Sequence, residues 1–319
     1  MTSTIAGASG RKYVQGSVLQ RHPKNPELSV YQAECGSESF VFKRVSESFF
    51  NLSQNLKSEF AGSRRLRMHI DYNQEERILV YKYLRHTLLG LITEYPDFAA
   101  AQLKKILRYT GEALKEFHDK GWIHIDVKPD NILVNWICDE HGDQVVTDVV
   151  LGDFDIAFKP EGGEPLQTPY AIGNVMWRSP EGQTARGVTK ASDVFSFGLV
   201  CIYALGAGDL LVLKDYQSLV KNGVIPEQEI LLRHLLYFGP LPEGLLMQVK
   251  DESWCDALKK LSEMAEDIVN DDPRVRFEQW GEDVAPNLTP GAKSMISRMT
   301  NLNPVTRPTI DEVLKHQWW

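Results

Sequence analysis

The first quarter of the chain alternates apolar and polar residues with a period of two. Tyr13–Val14, Val18–Leu19, Leu28–Tyr31 and Phe40–Val45 read as strands, with a Pro/Asn-rich turn at His22–Pro26. From Ser48 to Leu66 the spacing becomes helical, Leu52, Leu56 and Phe60 standing four residues apart. Met68–Tyr72 and Arg77–Leu84 then return to strand character across the polar turn Asn73–Glu76. Beyond Leu84 the pattern is helical. Leu103, Ile106, Leu107, Thr110, Leu114 and Phe117 share one face of a 3.6-residue period, which predicts an amphipathic helix over Ala99–Asp119, punctuated by Gly121. Further helices are predicted at Asp193–Leu205, Gln228–Leu236, Cys255–Ile268, Ala292–Met299 and Ile310–His316. The fold class is therefore α+β and bilobal. A small β-rich lobe joins a larger, mainly helical lobe near Tyr83–Thr87, and the cleft between them is the natural ligand site.

Composition narrows the possibilities. The chain has 319 residues, 43% of them hydrophobic, and a formal net charge of -8, which supplies no global attraction to nucleic acid or to an anionic membrane. Neither nucleic acid nor membrane is expected as a partner. Cys35, Cys138, Cys201 and Cys255 form no CxxC pair, so a reducing compartment is expected, intracellular and either cytoplasmic or nuclear. Residues 1–10 contain no apolar run of signal-peptide length. The apolar stretch Val194–Leu205, followed by Asp209, falls short of the roughly 20 residues a membrane helix needs.

The densest chemistry lies in His124-Ile125-Asp126-Val127-Lys128-Pro129-Asp130-Asn131-Ile132-Leu133-Val134. Phosphoryl transfer needs a carboxylate near the attacking hydroxyl, a cation on the moving group and oxygen ligands for a metal. Asp126, Lys128 and Asn131 bring all three types into one polar loop between a helix and a strand. Alone, such a loop could be a polar connection and nothing more. Leu151-Gly152-Asp153-Phe154-Asp155 follows at a strand end, and Lys43 stands in an otherwise apolar strand, Val41-Phe42-Lys43, where an exposed lysine would be unremarkable.

Taken in order, these motifs resemble the catalytic elements of the eukaryotic protein kinases. The resemblance runs from Tyr13 to Trp319. It implies a short tail over residues 1–12, then a kinase domain at 13–319, with a small lobe at 13–84 and a large lobe at 85–319. It implies that Asp126 orients the substrate hydroxyl and accepts its proton, and that Lys128 steadies the γ-phosphate. Asn131 and Asp153 would bind magnesium, and Phe154 would pack beneath the small-lobe helix. Lys43 would hold the α- and β-phosphates, with Glu59 as its helix partner. Tyr81 takes the gatekeeper place, and Lys82, Tyr83 and Leu84 form the hinge whose backbone holds adenine. Trp177-Arg178-Ser179-Pro180-Glu181 resembles the end of an activation segment, with Asp193 at the family spacing. Arg307 is expected to pair with Glu181, and Leu314–Trp319 is similar to the family's closing motif. ATP and magnesium are the implied cofactors, and a protein hydroxyl the implied acceptor. Lys128, two residues after Asp126, is the serine/threonine pattern.

Several positions depart from that pattern. Gln20–Glu27 replaces the glycine-rich loop, and its prolines remove amide donors that would cradle phosphate, leaving Arg21 and Lys24 as point charges. Ile125 replaces the arginine that docks a phosphorylated activation loop, so phosphorylation of Thr168 or Tyr170 is not expected to be required. Asp155 replaces a glycine beside the metal ligand, Asn174 a threonine, and Ser63 an apolar residue. An active serine/threonine kinase is thus set against a pseudokinase scaffold, with a small-molecule phosphotransferase ranked third. The stretch Leu210–Thr289 is the candidate partner surface.

Overall fold

The computed structural model describes residues 3–22, 25–208 and 216–319. In the first lobe, strands β1 (Thr4–Ala6), β2 (Lys12–Gln20), β3 (Val30–Cys35), β4 (Glu38–Arg44), β5 (Asp71–Asn73) and β6 (Ile78–Lys82) form an antiparallel sheet in the order β1-β2-β3-β4-β6-β5. Period-two alternation sorts its side chains. Tyr13, Phe40, Phe42, Ile78 and Val80 pack on one face with Ile5 of β1, while Val41, Leu79 and Tyr81 pack on the other against Phe49 and Phe50 of helix α1 (Glu47–Glu59).

Two expectations are corrected here. Residues 1–12 are not simply a tail, because Thr4–Ala6 pairs in register with Lys12–Val14 as an edge strand. Asp71 fastens the return, accepting from Ser9 N at 3.1 Å and Tyr13 OH at 3.0 Å. Three residues are too few for alternation to be readable. The helix expected to reach Leu66 ends at Glu59. Gly62, at φ 86°, turns the chain, and Ser63 Oγ accepts from Leu66 N at 3.1 Å, so local bonds replace helical ones.

The second lobe is built on helix α3 (Ala100–Asp119), which follows β7 (His86–Thr87) and α2 (Leu88–Glu94). Leu103, Ile106, Leu107, Thr110, Leu114 and Phe117 are all buried, as one apolar stripe requires. A long hairpin, β8 (Ile132–Cys138) and β9 (Gln144–Leu151), turns at Asp139–Asp143 and lies on α3. After it come β10 (Leu166–Gln167), α4 (Pro180–Gln183), β11 (Arg186–Val188) and α5 (Lys190–Ile202). Then follow α6 (Tyr216–Lys221), α7 (Pro226–Phe238), α8 (Glu243–Val249), α9 (Glu252–Asp271), α10 (Pro290–Met299) and α11 (Ile310–Leu314). Residues 210–215 of the expected partner surface, and Asp209, lie outside the described residues. By length and composition the window Lys190–Ala207 is apolar enough to cross a bilayer, longer than the sequence reading allowed, yet 78% of it is buried inside the protein.

His69, packed against Tyr72 and Tyr81, gives the first lobe a pH dependence. It is buried with its Nε2 unpartnered among the described residues, and desolvation pushes its pKa down to about 4. The unfolded chain, with an ordinary histidine pKa near 6.5, takes up a proton that the fold refuses. Stability is therefore complete above about pH 6.5 and falls as pH drops toward 4, by about 2 kcal/mol after solvent screening. Urea unfolding across this range should show a shallower slope in His69→Leu; equal slopes would mean His69 does not govern it.

Candidate active site

The polar loop that follows α3 is held from behind by its backbone. Gly121, at φ 88°, stops the helix, and Ile123 then pairs with Phe158 through two backbone bonds of 2.7 and 2.9 Å. Asp193, in the first turn of α5, accepts from His124 N at 2.7 Å and from Ile125 N at 2.8 Å. His118 Nε2 meets the same carboxylate at 2.8 Å. This clamp holds Ile125 at φ 71°, a region a β-branched residue avoids unless its surroundings impose it. Packing adds to the constraint, because a Cβ at Gly173 would lie 2.9 Å from Ile125 O.

Presented by that backbone, Asp126 is buried and heavily bonded. Its Oδ2 accepts from Lys128 Nζ at 2.5 Å and Asn131 Nδ2 at 3.1 Å, and its Oδ1 accepts from Asn174 N at 2.8 Å. Asn174 thus reaches Asp126 through its backbone; its side-chain oxygen is used by Met176 N at 3.0 Å. Asn131 Nδ2 also donates to Asp126 O at 2.8 Å, so the amide oxygen is the atom left for a cation. Asp126, Lys128 and Asn131 therefore stand together, as their spacing suggested.

Asp153 is joined to this loop through its neighbour. Gly152 N donates to Asn131 O at 2.9 Å, and His124 Nε2 lies 3.0 Å from Gly152 O. Phe154 packs between Phe117 and His124, each ring tilted with its centroid 5.1 Å away, and Phe117 in turn stacks on Phe60 at the end of α1. Phe154 thus reaches the small-lobe helix through Phe117. Lys43 of β4 is ion-paired with Asp153 across the cleft. Burial disfavours the Lys43 ammonium, but Asp153 and Asp155 outweigh that and raise its pKa. Burial likewise pushes Asp153 up, and Lys43 and Lys128 outweigh it, leaving the carboxyl below its usual range. Asp155 is raised, first by desolvation and then by the charge of Asp153. The Asp153 carboxylate and the Asn131 amide oxygen are hard oxygen donors of the kind that could hold magnesium.

Glu59 is the residue placed wrongly. The part of α1 beside Lys43 is its first turns, where the Phe49 ring lies 5.2 Å from Lys43 Nζ. Glu59 follows Phe49 by ten residues, about 15 Å further along the axis at 1.5 Å per residue. It accepts instead from Trp122 Nε1 and Lys159 Nζ, both at 2.9 Å, and so ties the helix end to the second lobe. Burial raises its pKa, but those two partners overcome this and lower it. Spacing alone misled because α1 begins directly after Val45, capped by Ser46, with no loop to bring its last turn back over the strand.

Among the described residues of the loop between β2 and β3, several amides are bonded within the loop itself. Asn25 caps a short 3-10 turn, Pro26–Leu28. His22 N donates to Ser29 Oγ at 3.1 Å, Asn25 N to His22 Nδ1 at 2.9 Å, Glu27 N to Asn25 Oδ1 at 3.0 Å, and Ser29 N to Pro26 O at 3.2 Å. Arg21 is exposed, and Pro23 and Lys24 lie outside the described residues.

At the cleft's inner edge Tyr81 is buried, and desolvation raises its pKa. Tyr83 N donates to Ser39 O at 3.2 Å, and Leu84 N makes no bond among the described residues. Lys82 O accepts from Arg67 Nη2 at 3.2 Å. Arg67 was not picked out in the sequence, because its role depends on how the loop after α1 packs.

Below the cleft Glu181 and Arg307 form a fully buried, two-pronged pair at 2.7 and 3.3 Å. Ser192 Oγ adds a bond to Glu181 at 2.7 Å. Arg178 of the same segment donates to Gly173 O at 2.6 Å and pairs with Glu227 of α7.

With this geometry in place, comparison with known proteins assigns the family. The family profile described as "Protein kinase domain" matches residues 65–319, four-fifths of the chain. The chain belongs to the protein kinase domain family. Similar proteins include a mitogen-activated protein kinase of Schizosaccharomyces pombe, 28% identical over 255 residues, covering 77% of this chain and 59% of that one. A mitogen-activated protein kinase of Aspergillus fumigatus is 24% identical, covering 77% of this chain and 51% of its own. The CTD kinase subunit alpha of S. pombe is 25% identical, covering 76% and 36%. The chain spans roughly half the length of the first two relatives, and its own match to the family profile, starting at residue 65, leaves out most of the β-rich first lobe.

Proposed function

We propose that this kinase domain is an ATP- and magnesium-dependent serine/threonine protein kinase. The observation that supports it most is the Asp126 carboxylate, oriented by Lys128, Asn131 and the Asn174 amide beside the Lys43–Asp153 pair. Asp126 would receive the hydroxyl of a protein substrate, its Oδ1 retaining an acceptor position beside the bond from Asn174. Lys128 and Lys43 would offset charge on the phosphates, while Asn131 and Asp153 hold magnesium, which supplies charge neutralisation for transfer. ATP is the donor and a protein hydroxyl the acceptor on this reading, with an intracellular site of action, cytoplasmic or nuclear.

A second reading, a pseudokinase scaffold, is favoured by the self-bonded β2–β3 loop and by Phe49 standing where Lys43 would meet an acidic partner. Thermal unfolding with and without millimolar Mg-ATP separates the two. Stabilisation that needs the metal and vanishes in Asp153→Ala is expected for a working nucleotide site. An unchanged melting temperature in the wild type would select the scaffold.

A further inference from the structure

Arg67 occupies a place unusual for a cation. It lies in the loop between α1 and β5, its backbone N–H bonded to Leu151 O at 2.7 Å. The side chain runs along Gly152, where an added Cβ would meet Arg67 Cδ at 3.1 Å, so the glycine makes room for it. The guanidinium carbon stands 5.0 Å from the Tyr81 ring centroid, and Nη2 donates to Lys82 O. Its Nε is buried with no partner among the described residues, and burial lowers its pKa more than Tyr81 and Asp153 restore it. A half-buried cation whose Nε is buried and unmet is costly. The fold nevertheless keeps it at the inner edge of the cleft.

What it covers is the group that distinguishes one base from another. A 6-aminopurine presents an amine donor beside a ring-nitrogen acceptor, and its complement is a carbonyl acceptor beside an N–H donor. On the reading that residues 82–84 face the base, Lys82 O and Leu84 N–H would supply such a pair. The donor half is open, since Leu84 N is unbonded among the described residues, while the acceptor half already receives a bond from Arg67, which must share or yield it to a second donor.

We propose that Arg67 sets base selectivity in the cleft by competing for the carbonyl of Lys82, so that the amine of an adenine nucleotide is recognised only weakly there unless Arg67 moves away. This rests on the reading that residues 82–84 face the base. It makes Arg67 a selectivity residue acting against adenine, and gives the domain weaker ATP binding than its ionic groups alone would support.

The test uses Mg-ATP and the magnesium complex of purine riboside triphosphate, which lacks the 6-amino group but keeps the ring acceptor. Both are titrated calorimetrically into the wild type and Arg67→Val, with Arg67→Leu as a second variant should valine fold poorly. The wild type should bind the two nucleotides within about twofold of each other. Arg67→Val should bind ATP about tenfold more tightly than the wild type, and prefer it over the analogue by about tenfold, the worth of one regained hydrogen bond. A wild type that already prefers ATP tenfold, or a folded variant with no gain, overturns the role of Arg67 and leaves the nucleotide site standing. Failure of every protein to bind either nucleotide at millimolar concentration overturns both.

Discussion

Asp126→Asn is expected to lower phosphoryl transfer by about 10²–10⁴-fold, the range for losing a positioned general base, while nucleotide affinity stays within a few-fold. The carboxylate accepts from Lys128 and Asn131 on one oxygen and from Asn174 on the other. An amide can keep the bond from Asn174 N through its oxygen. Its NH2 would then face two donors, Lys128 Nζ and Asn131 Nδ2, and could not take a proton from a hydroxyl. The loop itself should survive, because Asp193 holds its backbone independently. Single-turnover transfer to a hydroxyl-bearing peptide, with calorimetric titration of the nucleotide, separates the two effects. Retained turnover would remove Asp126 from the proposed chemistry. Parallel loss of nucleotide binding would show that Asp126 shapes the cleft instead.

The second large effect concerns stability. Arg307→Leu should destabilise the fold by about 3–5 kcal/mol, because it leaves the fully buried Glu181 carboxylate without its cation. Ser192 Oγ would remain as its side-chain donor, and the carbonyls of Asn301 and Ala191 would lose the guanidinium as well. Replacing both partners, Glu181→Gln with Arg307→Leu, should cost less than Arg307→Leu alone, since no charge is then stranded. Denaturant unfolding of the four proteins completes the cycle. A double variant as unstable as the sum of the singles would mean the pair is not coupled. The pH dependence has a definite sign. Burial raises the Glu181 carboxyl, Arg307 overcomes this, and the net pKa lies below that of an unfolded glutamate. Its contribution is therefore complete above the ordinary glutamate value and is lost as pH falls through the depressed folded one.

How much of the site could be read before the fold was known follows from which contacts are local. Asp126, Lys128 and Asn131 lie within six residues of chain, so their types and spacing already place them together, and the bonds among them span at most five residues. The Glu181–Arg307 pair spans 126 residues and was legible only through resemblance, since nothing local links a helix start to a distant arginine. Glu59 shows where that reading fails. Its spacing from Lys43 was suitable, but helix phase and the absence of a connecting loop carry it to Trp122 and Lys159. Arg67 gave no signal at all. One arginine in a loop is ordinary until β6 and β9 are seen on either side of it.

The sequence by itself determined the α+β division, the helix stripes and the loop that carries Asp126, because each depends on periodicity or on neighbours a few residues apart. It also settled that the β2–β3 loop lacks glycine-rich flexibility, since prolines constrain φ wherever they stand. Tertiary structure alone decided the partner of Lys43, the seat of Glu59, the edge strand Thr4–Ala6 and the guanidinium on Lys82 O. The physical reason is common to all four. Each depends on the direction in which a side chain or short segment leaves its element, and that is fixed by packing between elements far apart in the chain.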